Sequence, residues 1–172
     1  MYIQKLLSER LSKNKPVKVA LIGAGKFGSM FLSQVPTTPG INVVAIADLF
    51  PDKAKNACKA VGWNDELISS TKFFESGKEV IELSEIEVVI EATGLPSAGI
   101  EHARHSFKLG KHIIMVNVEA DVLAGGLLTQ EAKSAGVVSS MPSGEKPALT
   151  QEIINWARST GSYVPIPAKG KK

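Results

Sequence analysis

The chain has 172 residues, of which 44% are hydrophobic and 22% are charged, and its formal net charge is +3. These values predict one globular domain with a sizeable core. The positive charge lies at the two ends, since residues 1–18 carry a net +4 and residues 167–172 carry +3, which leaves −4 for the body. An acidic body lacks the electrostatic footprint of a nucleic-acid-binding protein, so no nucleic-acid partner is expected.

Cysteine usage and the N-terminus indicate the compartment. The single Cys58 shares helical spacing with Ala54 and Val61, which predicts a buried apolar side chain and not a reactive thiol. One cysteine excludes an intrachain disulfide and favours a reducing compartment. Lys5 and Glu9 stand where a signal peptide needs an apolar run, and no segment has the length of a membrane span. We therefore expect a cytoplasmic protein with no membrane partner.

Residues 1–16 form the first predicted unit, an N-terminal helix. Ile3, Leu6, Leu7 and Leu11 recur at helical spacing with charged residues between them. We expect this helix to pack on the following domain or on a partner subunit, so a homo-oligomer is left open. A basic membrane anchor is the weaker alternative, because the stripe is short and carries neither Trp nor Phe.

A glycine-rich turn follows the first predicted strand. Residues 17–28 are VKVALIGAGKFG, with Gly23, Gly25 and Gly28 in G-x-G-x-x-G spacing between a strand and a helix. In that motif the first glycine permits a tight turn, the second lets a pyrophosphate approach the main chain, and the third lets helix and strand pack closely. The start of the helix offers N–H groups and its positive dipole end to phosphate. The alternative is an ordinary loop.

An acidic residue ends the second predicted strand. Asp48 follows the apolar run NVVAIA over residues 42–47 and lies 20 residues beyond Gly28. An acid at that position accepts hydrogen bonds from an adenosine ribose. The alternative is that Asp48 starts a turn or caps the helix that begins at Pro51. Together with the glycines, we interpret it as part of a dinucleotide site.

Strands and helices continue to alternate along the rest of the chain. Helices are predicted over residues 25–34, 51–60, 78–83, 97–109, 123–135 and 148–160, and strands over residues 71–74, 88–90, 111–118, 137–141 and 163–166. This alternation predicts an α/β Rossmann fold, a doubly wound parallel sheet in a three-layer α/β/α arrangement over residues 17–166. Residues 167–172 are predicted to be a disordered basic tail.

The predicted strand ends carry further candidate site residues. The turn after residues 88–90 contains Thr93 and Gly94, which we expect beside the nicotinamide ribose, although a simple strand-to-helix turn is the equal alternative. Asn117 lies at the end of the next predicted strand and is expected near the nicotinamide ring. His102 and His105 fall three apart on a helix, but no third ligand is spaced nearby, so we interpret them as solvated helix residues and predict no metal site.

The order of these motifs resembles a known family. The glycine turn, Asp48, the EATG turn, KHIIMVNVEAD and GVVSSMPSGEKPAL are similar to the amino-terminal domain of homoserine-dehydrogenase-like oxidoreductases, which include deoxyxylulose-phosphate-reductoisomerase-like enzymes. The resemblance implies an NAD(P)-binding domain followed by a substrate domain that is missing here, and so a truncated chain. Homoserine dehydrogenases have an Asn-Lys pair where this chain has Asn117 and Val118, so homoserine itself is not implied.

The leading hypothesis is an NAD(P)-dependent oxidoreductase that moves hydride between nicotinamide and a carbonyl or alcohol carbon of a small-molecule substrate. In it, Lys26 and Phe27 lie in the cofactor-binding turn, and Asp48 favours NAD slightly over NADP by repelling a ribose phosphate. Glu119 and Lys146 are the catalytic candidates, with surface charges at helix starts as the alternative for both. Little activity is expected from this chain alone. The alternatives are a binding-only module that senses NAD(H) and an S-adenosylmethionine-dependent methyltransferase.

Overall fold

A computed structural model of the chain describes residues 3–142 and 146–165, and within these the side chains of residues 5–142 and 149–165. The chain divides into two compact units between Ser140 and Met141. The predicted basic tail, residues 167–172, lies outside the described residues. None of the described helices is long and apolar enough to cross a membrane.

The first unit alternates helices and strands. Its elements are α1 (Ile3–Ser12), β1 (Val17–Ile22), α2 (Lys26–Gln34), a 3₁₀ turn (Val35–Thr37), β2 (Ile41–Ala47), α3 (Pro51–Ala60), α4 (Asp65–Ser70), β3 (Lys72–Phe74), α5 (Gly77–Glu82), β4 (Val88–Glu91), α6 (Pro96–Lys108), β5 (His112–Met115), α7 (Val118–Ser134) and β6 (Ser139–Ser140). The second unit contains α8 (Lys146–Ser159). Pro51 and Pro96 each occupy the first position of a helix, where the missing N–H has no intrahelical acceptor.

The six strands form one parallel sheet in the order β3-β2-β1-β4-β5-β6. This is the strand order of a doubly wound Rossmann sheet, whose direction of winding reverses between β1 and β4. The predicted fold class is therefore confirmed. Outside the carboxyl ends of these two strands a crevice opens, and a ligand binds there in such sheets.

Two hydrophobic clusters cover the two faces of the sheet. Alternate residues of β1 divide between them, with Ala20 and Ile22 in one cluster and Val19 and Leu21 in the other. Both faces are therefore buried, as the near-continuous apolar strands of a parallel sheet require. Cys58 is fully buried in the second cluster, and burial raises the pKa of its thiol to about 11. The prediction of an inert, buried cysteine is confirmed.

Several element boundaries differ from the sequence predictions. Helix α7 begins at Val118 and not at residue 123, because the side chain of Asn117 caps it by accepting a hydrogen bond from the Ala120 N–H at 3.1 Å. Strand β5 consequently ends at Met115. The strand predicted over residues 137–141 is limited to Ser139–Ser140. A further strand was predicted over residues 163–166, but residues 163–165 are not part of a strand.

Helix α1 packs against the amino-terminal end of the sheet. Arg10 Nη2 donates to both carboxylate oxygens of Glu87 at 2.7 Å, and its Nε donates to the Lys15 carbonyl oxygen at 2.9 Å. Gly40 has a φ of +83°, and a Cβ there would lie 2.6 Å from the Leu7 carbonyl oxygen. The helix therefore contacts the residues that precede β2 and β4, which is one of the two placements expected from the sequence.

Candidate functional site

The glycine turn connects β1 to α2 at the carboxyl edge of the sheet. Gly23 has a φ of +96°, and a Cβ there would lie 2.6 Å from the Ala92 carbonyl oxygen. A Cβ at Gly28 would overlap the carbonyl oxygen of Gly23. A Cβ at Gly25, in contrast, would meet no atom within 4 Å. The fold itself therefore requires Gly23 and Gly28, whereas Gly25 leaves a space at the turn that protein atoms do not fill.

Helix α2 starts at this open space. Gly25 is its N-cap residue, and the Gly25 carbonyl oxygen accepts the first helical hydrogen bond, from the Ser29 N–H, at 2.8 Å. Lys26 is exposed and Phe27 is half-buried in the first turn. The first N–H groups of a helix lack intrahelical acceptors, and the helix dipole makes that end positive. A diphosphate fits this end, because its oxygens can approach the main chain where Gly25 has no side chain.

Asp48 follows β2 and reaches across to the glycine turn. Its Oδ2 accepts a hydrogen bond from the Ala24 N–H at 2.9 Å, and its Oδ1 accepts one from the Phe50 N–H at 3.1 Å. The second contact matches the turn-forming alternative considered from the sequence, and the first holds the carboxylate beside the glycine turn. A carboxylate oxygen can accept more than one hydrogen bond, so each oxygen of Asp48 can still accept from a ribose hydroxyl.

A crevice of about 800 Å³ extends from these residues along the carboxyl edge. Leu49 and Phe50 border it beyond β2, and both are largely exposed, at 75% and 65%. Leu95 borders it beyond β4 and is also exposed. Apolar side chains that stand on both sides of an open cleft provide surfaces on which a flat ring can be buried. The ionisable side chains that line the crevice are those of Asp48, Lys53, Glu75, Lys78, Glu79, Glu101 and His102.

The turn after β4 forms the other part of the site. Gly94 has a φ of +73°, which lets the chain turn between the strand and α6. Asn117 is buried, and its Nδ2 donates to the Leu95 carbonyl oxygen at 2.9 Å and to Thr93 Oγ1 at 3.3 Å. Asn117 and Thr93, which the sequence predicted near the nicotinamide, therefore lie together. Whether they contact a cofactor stays a prediction.

The two catalytic candidates lie on different elements. Glu119 is exposed in the first turn of α7, two residues after Asn117. Lys146 is the first residue of α8 in the second unit, and its side chain lies outside the described ones. Their catalytic roles remain predictions. Among the described residues, no group of three or more His, Cys, Asp or Glu side chains is arranged to hold a metal ion.

Sequence reasoning missed two residues of this region, Glu91 and His102. Glu91 is the last residue of β4 and is fully buried, and His102 on α6 is 9% exposed, with Nδ1 3.3 Å from Glu91 Oε1. The interpretation of His102 as solvated is wrong, because Gly77 has no side chain and leaves room for the imidazole. The available signal was a glutamate that closes an apolar central strand, where a buried carboxylate requires partners.

The strand order, the glycine turn and Asp48 together define a dinucleotide-binding Rossmann domain. The chain belongs to the oxidoreductase family with an NAD-binding Rossmann fold, whose family model matches residues 17–116. It thus carries the Rossmann domain that defines this family. This membership favours the dinucleotide hypothesis over the S-adenosylmethionine alternative. Comparison with the curated proteins finds no match.

Solved structures share the fold. A homoserine dehydrogenase from Thiobacillus denitrificans is 23% identical with a TM-score of 0.62, over 74% of this chain and 29% of that one. A homoserine dehydrogenase from S. aureus is 16% identical with a TM-score of 0.58, over 88% and 45%. An NAD-binding oxidoreductase from Klebsiella pneumoniae is 18% identical with a TM-score of 0.58, over 83% and 39%. The chain therefore spans less than half the length of each structure.

Proposed function

We propose that this chain binds NAD in preference to NADP within a dehydrogenase that moves hydride between nicotinamide and a carbonyl or alcohol carbon of a small substrate. The single observation that carries the cofactor preference is the contact of Asp48 Oδ2 with the Ala24 N–H at 2.9 Å. It holds a carboxylate beside the phosphate-binding turn, where an adenosine ribose lies in Rossmann domains. There the carboxylate accepts from ribose hydroxyls and repels a 2′-phosphate.

Two lysines oppose this preference. Lys53 and Lys78 line the same crevice and would attract a phosphate. Both are exposed, and Lys78 Nζ is 2.7 Å from Glu101 Oε1. An exposed ammonium on a flexible chain contributes less than a carboxylate that two main-chain N–H groups hold in place. The balance therefore favours NAD.

The nicotinamide supplies the hydride chemistry when bound, whereas the protein supplies binding, orientation and charge. We assign the binding to Gly25, the start of α2 and Asp48, and we keep Glu119 and Lys146 as candidates for holding a proton. Because chemistry needs a positioned proton donor and a closed site, we propose that a further domain holds the substrate and that this chain alone turns over little of it.

Calorimetric titration with NADH, NADPH and S-adenosylmethionine tests the proposal. We expect NADH to bind about 10-fold more tightly than NADPH, which corresponds to about 1.4 kcal/mol. S-adenosylmethionine should give no heat. Asp48→Asn removes the negative charge and should reduce the NADH-to-NADPH ratio to near one. Asp52→Asn, a change of the same kind at an exposed position in the first turn of α3, should leave the ratio as it is.

Several outcomes would contradict these assignments. Equal affinities of the wild-type protein for NADH and NADPH would overturn the NAD preference, as would an unchanged ratio in Asp48→Asn. Absence of binding by either dinucleotide would overturn the proposal as a whole. NADH binding combined with turnover in a panel of keto and semialdehyde substrates would overturn the proposed need for a further domain, while co-purification of a non-enzymatic partner would favour the sensing module.

A further inference from the structure

A cluster of polar side chains is buried behind the crevice. Glu91 Oε1 accepts hydrogen bonds from the Thr93 hydroxyl and from the Thr93 N–H, the latter at 3.3 Å, and it faces His102 Nδ1 at 3.3 Å. Glu91 Oε2 is equally buried and has no hydrogen-bond partner among the described residues. The cluster is completed by Asn117, which contacts Thr93 Oγ1 and the Leu95 carbonyl oxygen.

Two glycines make room for this cluster. A Cβ at Gly77 would lie 2.5 Å from His102 Nε2 and 3.0 Å from Ile22 Cγ2. A Cβ at Gly99 would lie 2.8 Å from Asn117 Nδ2 and 3.2 Å from Glu91 Oε2. Residues with side chains at these helical positions would displace the imidazole, the amide or the carboxylate. The surrounding helices are thus built to accommodate Glu91, His102 and Asn117.

Stability alone does not explain Glu91. A buried polar atom without a partner costs on the order of 1–3 kcal/mol, more when it is charged, and an apolar side chain of similar volume avoids that cost. The Glu91 carboxyl group instead fixes the turn that follows β4. Glu91 holds the Thr93 main chain from beneath, and Asn117 holds the Leu95 carbonyl group from the side of β5. The backbone of residues 93–95 is therefore anchored at both ends.

We propose that Glu91, braced by His102, is a positioning residue that holds the Thr93–Leu95 turn against the nicotinamide half of the dinucleotide. The proposal rests on the proposed function. The glycine turn and Asp48 occupy the β1–β2 side of the crevice and take the diphosphate and the adenosine ribose. A dinucleotide that crosses the edge at the winding reversal places its other half over β4, the strand that Glu91 ends.

Binding of NADH and of ADP by three variants tests this assignment. ADP carries only the adenosine ribose and the phosphates, so it does not depend on the turn after β4. Glu91→Leu keeps the buried volume, and Thr93→Val removes, at an exposed position, the hydroxyl group that donates to Glu91. We expect Glu91→Leu and Thr93→Val each to weaken NADH binding about 10-fold and to leave ADP binding within about two-fold. His105→Gln, on the same helix but half-buried near Glu82, serves as the control and should change neither affinity.

The possible results separate the alternatives. Loss of NADH affinity with ADP affinity retained supports the positioning role, because a merely structural role weakens both ligands together. Equal losses for NADH and ADP in Thr93→Val, or no loss for NADH, would overturn it. If the wild-type protein binds ADP and NADH with the same affinity, the turn does not touch the nicotinamide half and the inference fails, although the dinucleotide site stands. If the wild-type protein binds neither, the proposed function fails first.

Discussion

Charged side chains at the two edges of the sheet differ in how fully they are paired. At the amino-terminal edge, Glu85 pairs with Lys18 and Lys72, and Glu87 pairs with Arg10. At the carboxyl edge, Glu91 has one oxygen without a partner among the described residues, and Asp48 retains acceptor capacity beside the open space at Gly25. One edge uses its charges to hold the fold together, whereas the other leaves hydrogen-bonding capacity unused at Asp48 and at the buried Glu91.

Lys111 is a buried charged residue at the amino-terminal edge whose side chain has hydrogen-bond partners. This residue precedes β5 and is 5% exposed, and its Nζ donates to the Leu83 carbonyl oxygen at 2.6 Å and to the Ile86 carbonyl oxygen at 2.9 Å. Burial lowers the pKa of the amine below its ordinary value. At the same edge, the hydrogen bond from Lys72 lowers the pKa of Glu85, which keeps that carboxylate charged toward acidic pH.

The largest expected effect is at the glycine turn, where fold and ligand demands meet. In Gly28→Ala, the new Cβ overlaps the Gly23 carbonyl oxygen, a backbone atom that cannot move aside without distortion of the turn. We expect a loss of about 3 kcal/mol or more in the free energy of unfolding. Gly25→Ala, in the same turn, should keep stability within about 0.5 kcal/mol and weaken NADH binding about 10-fold.

Chemical denaturation and NADH titration of both variants check this division. Gly126→Ala on α7 is the matched control, since its Cβ would meet no atom within 4 Å and alanine favours a helix. It should raise stability by up to about 1 kcal/mol. If Gly25→Ala binds NADH as tightly as the wild-type protein does, the open space at the turn is not the diphosphate position.

A smaller effect is expected from Lys111→Met at the amino-terminal edge. The Leu83 and Ile86 carbonyl groups lose a donor, so the free energy of unfolding at neutral pH should fall by about 1–3 kcal/mol. Because the folded-state pKa of Lys111 is lowered, the unfolded chain binds more protons as the pH approaches 10.5, and wild-type stability from this group rises with pH. The gap between the wild-type protein and the variant should therefore widen with pH.

Urea unfolding measured from neutral to alkaline pH gives both quantities. Lys108→Met, at an exposed position on the neighbouring helix α6, is the control and should stay within about 0.5 kcal/mol of the wild-type protein at every pH. A gap that narrows as the pH rises would show that Lys111 holds its proton more tightly in the folded protein. That result would reverse the assigned effect of burial.

At the carboxyl edge, the sequence predicted the course of the backbone better than the contacts of the buried side chains. Gly23, Gly25, Gly28 and Asp48 lie at this edge as predicted, because turn geometry and strand ends leave local signals that do not depend on distant residues. Their roles in binding stay predictions. The Rossmann fold followed from the alternation of elements. The cluster around Glu91 was missed, since its contacts join residues far apart in the chain and helical spacing alone does not distinguish a buried histidine from a solvated one.

The boundaries that were wrong have the same origin. Residues 111–118 have the apolar composition of one strand, but the side chain of Asn117 caps α7 and ends the strand early. Capping depends on whether an amide reaches an N–H three residues on, which composition does not reveal. Likewise, residues 163–165 have strand-like residues, but none of the strands in the described part of the chain pairs with them.

The smallest expected effect is the link between α1 and the sheet through Arg10 and Glu87. Both side chains are about 40% exposed, at 42% and 39%, so solvent screens their attraction despite the 2.7 Å geometry. A double-mutant cycle with Arg10→Ala and Glu87→Gln should give a coupling energy of about 0.5–1 kcal/mol that shrinks in 1 M salt, where the Debye length is roughly 3 Å. Lys5→Ala, at an exposed position on the same helix, should show no coupling to Glu87→Gln. NADH affinity should be the same in all of these variants, because the pair lies at the edge opposite the crevice. A coupling energy that persists in high salt would mean that the pair is shielded from solvent and stabilises the fold more than an exposed ion pair can.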